Sequence, residues 1–118
     1  MQARFFEFAA RCVLATRGLA RVPEAWVVRS QLTRSATSVG ANYRAASRAL
    51  SSRGFVAKLS IALEEADETS NWLQLCSRIG LLEPEVVNPL LQEGEELIRI
   101  LSASRRTARN RQLARKPE

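Results

Sequence analysis

Four acidic residues, Glu64, Glu65, Asp67 and Glu68, lie within five consecutive positions and form the first group that could do chemistry. Clustered carboxylates can bind iron or manganese inside a helical bundle. Such sites, however, take a Glu-x-x-His motif from each of two helices and a glutamate from each of the others. The chain has no histidine, and these acids come from one segment. We therefore predict that the cluster is not a metal site and that the protein is not an enzyme.

The absence of histidine also removes the commonest general base and the commonest metal ligand. Cys12 and Cys76 are far apart, have no CxxC partner and lie on apolar stripes. We interpret them as reduced, buried thiols, with a disulfide or a redox role as the alternative. No cofactor is predicted. Glu7 and Arg11 interrupt the apolar N-terminus, and no apolar run reaches the roughly 18 residues of a membrane span, so we expect a cytoplasmic protein without a membrane partner.

Positive charge is concentrated towards the two ends of the sequence. Residues 1–60 carry ten Lys/Arg against two acids, residues 61–104 carry two against nine, and residues 105–118 carry six against one. Arginine forks suit phosphate oxygens, so RNA or DNA is a candidate partner. The candidate residues are Arg34, Arg44, Arg48, Arg53, Arg105, Arg106, Arg109 and Arg111. Two alternatives stay open: a basic tail is often only a solvated chain end, and the excess of arginine over lysine can reflect genome composition.

The elements that must position these residues are helices. Apolar residues recur at alternating spacings of three and four, which predicts helices over about residues 3–19, 24–48, 52–80 and 84–108. No stretch alternates with period two. We predict an all-α, antiparallel up-and-down four-helix bundle in a single domain, residues 1–110, followed by a frayed basic tail, residues 111–118.

The third helix has a second, largely apolar stripe beside the one that should face the core. The residues that it offers to another subunit are Ile61, Glu68, Trp72, Leu75 and Ile79. A helix that is apolar over most of its circumference is usually buried by a second partner. We therefore predict an interface with further copies of the chain. The alternative is that the stripe only broadens the core of one bundle.

The stretch "RSATSVGANYR", residues 34–44, is unusually rich in small residues for a helix. If neighbouring helices turn back near residues 50 and 83, Gly40 lies level with Ile61 and Ala62, and Gly94 lies level with Trp72. We interpret the small residues as sites of close helix packing. The alternative is a shallow groove, flanked by arginines at both ends of the stretch, that holds a phosphate or a partner's carboxylate.

Two segments, "RSATSVGANYRAASRA" and "FVAKLSIALEEADETSNWLQLCSRIGLL", resemble a bacterial four-helix-bundle family. That family includes the intervening-sequence proteins encoded within large-subunit ribosomal RNA genes and the accessory variability determinants of diversity-generating retroelements. The matching residues are Arg34, Ser35, Ala36, Ser38, Ala41, Asn42, Leu59, Ile61, Ala62, Leu63, Glu68, Trp72, Leu73, Gly80 and Leu81. The segments "FEFAARCVLATRGL" and "ELIRILSASRRTAR" fit the family's first and last helices. Relatives usually carry a glutamate where this chain has Ala45, so any role of that acid is in doubt here.

The resemblance implies a left-handed antiparallel bundle that assembles as a ring-like homo-oligomer, a homopentamer, and that has no known enzymatic activity. Its retroelement members bind nucleic acid and a reverse transcriptase, which implies those two partners here. Our first hypothesis is therefore a non-catalytic accessory or adaptor subunit that binds nucleic acid. The second is a protein-interaction scaffold in which the acidic cluster meets a basic partner. The simpler interpretation of that cluster is that its acids pair internally with Arg34 and Arg99.

Overall fold

A computed structural model describes residues 1–115 of the chain. It contains four α-helices: α1 Gln2–Thr16, α2 Pro23–Ser47, α3 Ser52–Arg78 and α4 Pro84–Arg115. Each helix packs against the next, and α4 returns to α1, so the four form an antiparallel bundle 59 Å long. No strand occurs in the described part of the chain. The predicted all-α class with four helices is therefore confirmed.

The helix ends follow local chemistry, and two of them differ from the prediction. The first helix ends at Thr16, before the predicted residue 19, because Arg17, Gly18 and Leu19 all donate to carbonyls three residues back. The fourth helix does not fray near residue 108 and continues to Arg115. Residues 111–115 of the predicted tail are thus helical, and residues 116–118 lie outside the described residues.

Capping residues define the start and the end of α3. The hydroxyl of Ser51 accepts a hydrogen bond from the Gly54 amide at 3.0 Å, so Ser51 is the N-cap. At the other end, Gly80 follows the C-cap residue Ile79 and adopts a φ of 75°, a backbone conformation that favours glycine. The amide of Leu81 then donates to the Cys76 carbonyl at 2.8 Å, which closes a Schellman motif.

The core is formed by one apolar face of each helix. Its largest fully buried residues come from all four helices: Phe5, Phe8, Leu32, Leu59, Leu73, Leu97 and Leu101. One polar pair lies among them, where the hydroxyls of Ser35 and Thr69 are 3.0 Å apart. The Ser35 hydroxyl also donates to the Leu32 carbonyl, and the Thr69 hydroxyl lies 2.8 Å from the Glu65 carbonyl oxygen. Because each hydroxyl has a partner, this pair can be buried and fixes the register of α2 against α3.

Two helical glycines, Gly40 and Gly94, mark close approaches, but with different neighbours from those predicted. A Cβ on Gly40 would lie 3.2 Å from the Cβ of Phe5. One on Gly94 would lie 3.5 Å from Phe8 and 3.6 Å from the Ser70 hydroxyl. Gly40 therefore packs against α1 and not against Ile61 or Ala62 of α3. Gly94 packs against both α1 and α3, and its neighbour on α3 is Ser70 and not Trp72.

Candidate nucleic-acid interface

The turn between α2 and α3 and the last turns of α4 meet at one end of the bundle. Arg105 reaches across from α4, and its Nη1 donates to the Ser60 hydroxyl of α3 at 3.3 Å. Further along, Arg53 and Arg109 line a shared cavity of about 440 Å³. Arg111 lines a second cavity, of about 410 Å³, together with residues of the turn. Helix α4 thus carries its arginines alongside the start of α3.

This end, which we call the basic end, consists of six arginines and one lysine. They are Arg48, Arg53, Lys58, Arg105, Arg106, Arg109 and Arg111. All are exposed except Arg105, which is half-buried. No acidic residue occurs within residues 44–63 or 97–115. Within residues 1–115, none of the seven forms an ion pair. Their charges therefore add to a positive potential that attracts anions.

Part of this positive charge also stabilises helix C-termini. The C-termini of α2 and α4 lie at the basic end, and a helix C-terminus carries partial negative charge that nearby arginines stabilise. The N-terminus of α3 lies at the same end with the opposite polarity and favours anions. The seven side chains outnumber these helix ends and extend into solvent, so most of the positive charge stays available.

The structure brings together six of the eight sequence-predicted residues and separates the other two. Arg44 lies on another surface, where it lines a groove between α1 and α2. Arg34 is engaged: its guanidinium donates to Glu65 at 2.8 Å and also to Glu68. These bonds raise the pKa of Arg34 and hold the pKa of Glu68 below its ordinary value. The prediction from the sequence did not include Lys58, although the stretch without acidic residues around Lys58 could have identified it.

Internal pairing of the acidic cluster is confirmed for two of its four members, Glu65 and Glu68, both with Arg34. The predicted participation of Arg99 is wrong. Its guanidinium lies 2.9 Å from Glu96 and 3.6 Å from Glu95, one turn away on its own helix. Residues three or four positions apart lie on the same side of a helix, so Arg99 can pair with these glutamates without reaching another helix. Glu64 and Asp67 of the cluster are exposed and form no ion pair within the described residues.

The second stripe of α3 is divided between core and surface. Trp72 and Leu75 are half-buried and pack against the core, and the indole N–H of Trp72 lies 3.4 Å from Glu68. Ile61 and Ile79 stay 40% and 47% exposed. The alternative that the stripe broadens the core thus holds for its middle, while both ends leave apolar surface without a partner.

One ion pair between helices was not predicted from the sequence. Arg4 of α1 binds Glu93 of α4 through two hydrogen bonds, of 2.8 and 2.7 Å. These bonds lower the pKa of Glu93. The two residues are 89 positions apart in the sequence, and the periodicity of each helix does not predict which residues of the two helices pair. The contact ties the first helix to the last.

The cysteines are buried and unbonded, as predicted. Burial raises the pKa of the Cys12 thiol to about 12 and also raises that of Cys76. Among residues 1–115, no three acidic or cysteine side chains converge where a metal ion could be held. None of the helices in that range combines the length and the apolar character needed to cross a membrane.

Comparisons with known proteins point to one family. The family model for 23S rRNA-intervening sequence proteins matches residues 2–103. The chain is also similar to a crystal structure of a protein of unknown function from the S23 ribosomal protein family of Bacteroides thetaiotaomicron. The TM-score is 0.81 at 35% identity, over 86% of this chain and 94% of that one. No curated protein matches the chain. The family match ends before Arg105, so the C-terminal arginines of the basic end lie beyond it.

Proposed function

The chain belongs to the 23S rRNA-intervening sequence protein family, and we propose that it is a non-enzymatic accessory subunit that binds RNA or DNA through the basic end. The observation that carries the proposal is the set of seven basic side chains without an acidic residue in either of the segments that supply them. Such a surface attracts phosphate from any sequence, since phosphate contacts position a nucleic acid without reading its bases.

The expected binding mode is electrostatic. Neutralising six or seven phosphates would give a slope of about −5 to −6 in a plot of log K against log salt for duplex DNA. Trp26, the most exposed tryptophan, lies in the first turn of α2, at the opposite end of the bundle, and so offers no stacking platform for bases at the basic end. We therefore propose binding with little sequence preference.

We further propose that the subunit works in the cytoplasm as a homo-oligomeric ring, with the pentamer of the resembled family as the expected size. Several basic ends on one ring would convert modest phosphate attraction into avidity. A reverse transcriptase is the protein partner that the retroelement branch of the resemblance suggests. If nucleic acid does not bind, the alternative is a protein-interaction scaffold, for which the exposed Glu64 and Asp67 would be the contact residues.

A titration across salt concentration tests the proposal. Fluorescence anisotropy of labelled RNA and of duplex DNA would be measured with the wild-type chain and with the triple variant Arg105→Gln, Arg109→Gln and Arg111→Gln. The matched control replaces three exposed arginines at the opposite end, Arg17→Gln, Arg21→Gln and Arg78→Gln.

We expect the basic-end variant to lose about three units of the duplex-DNA salt slope, because each neutralised phosphate contributes about 0.9. The control should keep the wild-type slope. Binding that is absent even at low salt would overturn the proposal, and so would equal losses in the two variants.

A further inference from the structure

A groove runs along the surface where α1 meets α2. Its volume is about 510 Å³, and its walls include Ala3, Phe6, Ala9, Gly40, Ala41 and Arg44. The groove is open because most of these side chains are small. The alanines leave free the space that larger side chains would fill, and α1 packs closely against Gly40 beside it.

Phe6 makes this groove unusual for the surface of a single chain. Its ring is 78% exposed, whereas Phe5, next to it in sequence, is buried and stacks on Tyr43 with 4.5 Å between ring centroids. Burial of a phenylalanine side chain away from water is strongly favourable. An exposed aromatic ring beside an apolar groove is therefore typical of a surface that is covered by a partner.

A second surface without a partner lies on α3. Ile61 and Ile79 are exposed there, 18 residues apart, which corresponds to about 27 Å along the helix. Glu64 follows Ile61 at the i+3 position, so its exposed carboxylate lies on the same side of α3. We call this surface the α3 face. The charges beside Ile61 are three glutamates against Lys58 and Arg34, so the α3 face is an apolar ridge with a net charge of −1. The groove is an apolar depression with the positive charge of Arg44.

We propose that the groove between α1 and α2 receives the α3 face of a second copy of this chain, with Ile61 packed beside Phe6 and Glu64 facing Arg44. The charges decide which surfaces meet. If two grooves packed together, the Arg44 side chains of the two copies would face each other. If two α3 faces packed together, the two Glu64 side chains would face each other, so both pairings join like charges. Groove against α3 face joins opposite charges and apolar surface with apolar surface.

A contact between two different surfaces is heterologous, so each copy offers one free groove and one free α3 face to the next. Such contacts close into a ring when the rotation between copies permits it. This inference rests on the proposed homo-oligomer and goes beyond it by naming the two faces and the residues that meet.

Solution mass tests the contact. Sedimentation velocity of the wild-type chain should give a multiple of the 13.2 kDa single-chain mass. Phe6→Glu should reduce the mass to that of one chain. The matched control, Leu14→Glu, changes a 53% exposed residue of the same helix that does not line the groove, and it should leave the mass unchanged. Circular dichroism would check that each variant keeps its helical content.

Charge reversal separates this pairing from any other role of the same surfaces. Arg44→Glu and Glu64→Arg should each reduce the mass to that of one chain, and the double variant should restore the oligomer. The inference is overturned if the wild-type chain is monomeric, if Phe6→Glu stays oligomeric, or if the double variant remains monomeric. These mass measurements do not depend on nucleic-acid binding, so the proposed contact between copies and the proposed nucleic-acid binding can each fail while the other stands.

Discussion

Replacement of Gly94 by alanine should stabilise the bundle. Glycine inside a helix costs about 1 kcal/mol relative to alanine. The added Cβ would lie 3.5 Å from Phe8 Cζ and 3.6 Å from Ser70 Oγ, which are ordinary van der Waals distances. The new methyl group is therefore buried without a clash and adds up to about 0.8 kcal/mol. We expect a gain of about 1–1.5 kcal/mol in the free energy of unfolding.

For a chain of this length, that gain corresponds to a rise in Tm of about 4–6 °C. The assay is thermal unfolding followed by circular dichroism, with all variants at one protein concentration, because self-association makes Tm depend on concentration. The matched control is Gly40→Ala. The same gain in helix propensity applies there, but the new Cβ would lie 3.2 Å from the Cβ of Phe5.

Since that atom is attached directly to the α1 backbone, α1 must move by a few tenths of an ångström to admit the methyl group at position 40. We expect Gly40→Ala to gain less than half of what Gly94→Ala gains. A lower Tm for Gly94→Ala, or an equal rise in Tm for the two substitutions, would refute this expectation.

Three further predictions concern the hydroxyl pair, the ion pair and the thiols. Ser35→Ala and Thr69→Val should each cost about 1 kcal/mol in urea unfolding, and the double variant should cost less than their sum, because both single variants lose the same hydrogen bond between the two hydroxyls. Full additivity would contradict the coupling. The pKa of Glu93 is lowered from its ordinary 4.5, so its stabilising charge is present above pH 4.5 and is lost as pH falls through the folded-state pKa. The urea midpoint of the wild type should exceed that of Glu93→Gln at pH 7, and the gap should narrow below pH 4.5; a gap that is constant with pH would refute this. Cys12 and Cys76 should react with a thiol reagent at pH 8 only after urea unfolding, and rapid labelling of the native protein would contradict their burial.

The helices and the core could be predicted from the sequence because heptad spacing depends on the chain alone. The α2 seam from Ala25 to Val39 is buried as its spacing predicts. The cap at Gly80 was also predictable, since few other residues tolerate a φ of 75°. In each of these cases the physical cause is local or repeats regularly along one helix.

The contacts that were missed depend on how the helices are rotated against one another. The contact of Gly40 with Phe5 needs the position of α1, which the periodicity of α2 does not contain. The pairing of Arg4 with Glu93 has the same origin. The basic end was predicted only in part: its arginines are evident in the sequence, but the continuation of α4 to Arg115 and its packing beside α3 bring them together.

Arginine footprinting tests the central claim, nucleic-acid binding at the basic end, most directly. The wild-type chain would be modified with phenylglyoxal in the presence and absence of RNA, and each arginine would be quantified by mass spectrometry. We predict that RNA protects Arg48, Arg53, Arg106, Arg109 and Arg111. The exposed arginines of the opposite end, Arg17, Arg21 and Arg78, should react equally with and without RNA. Equal reactivity at the basic end, or protection that is confined to the opposite end, would contradict the account.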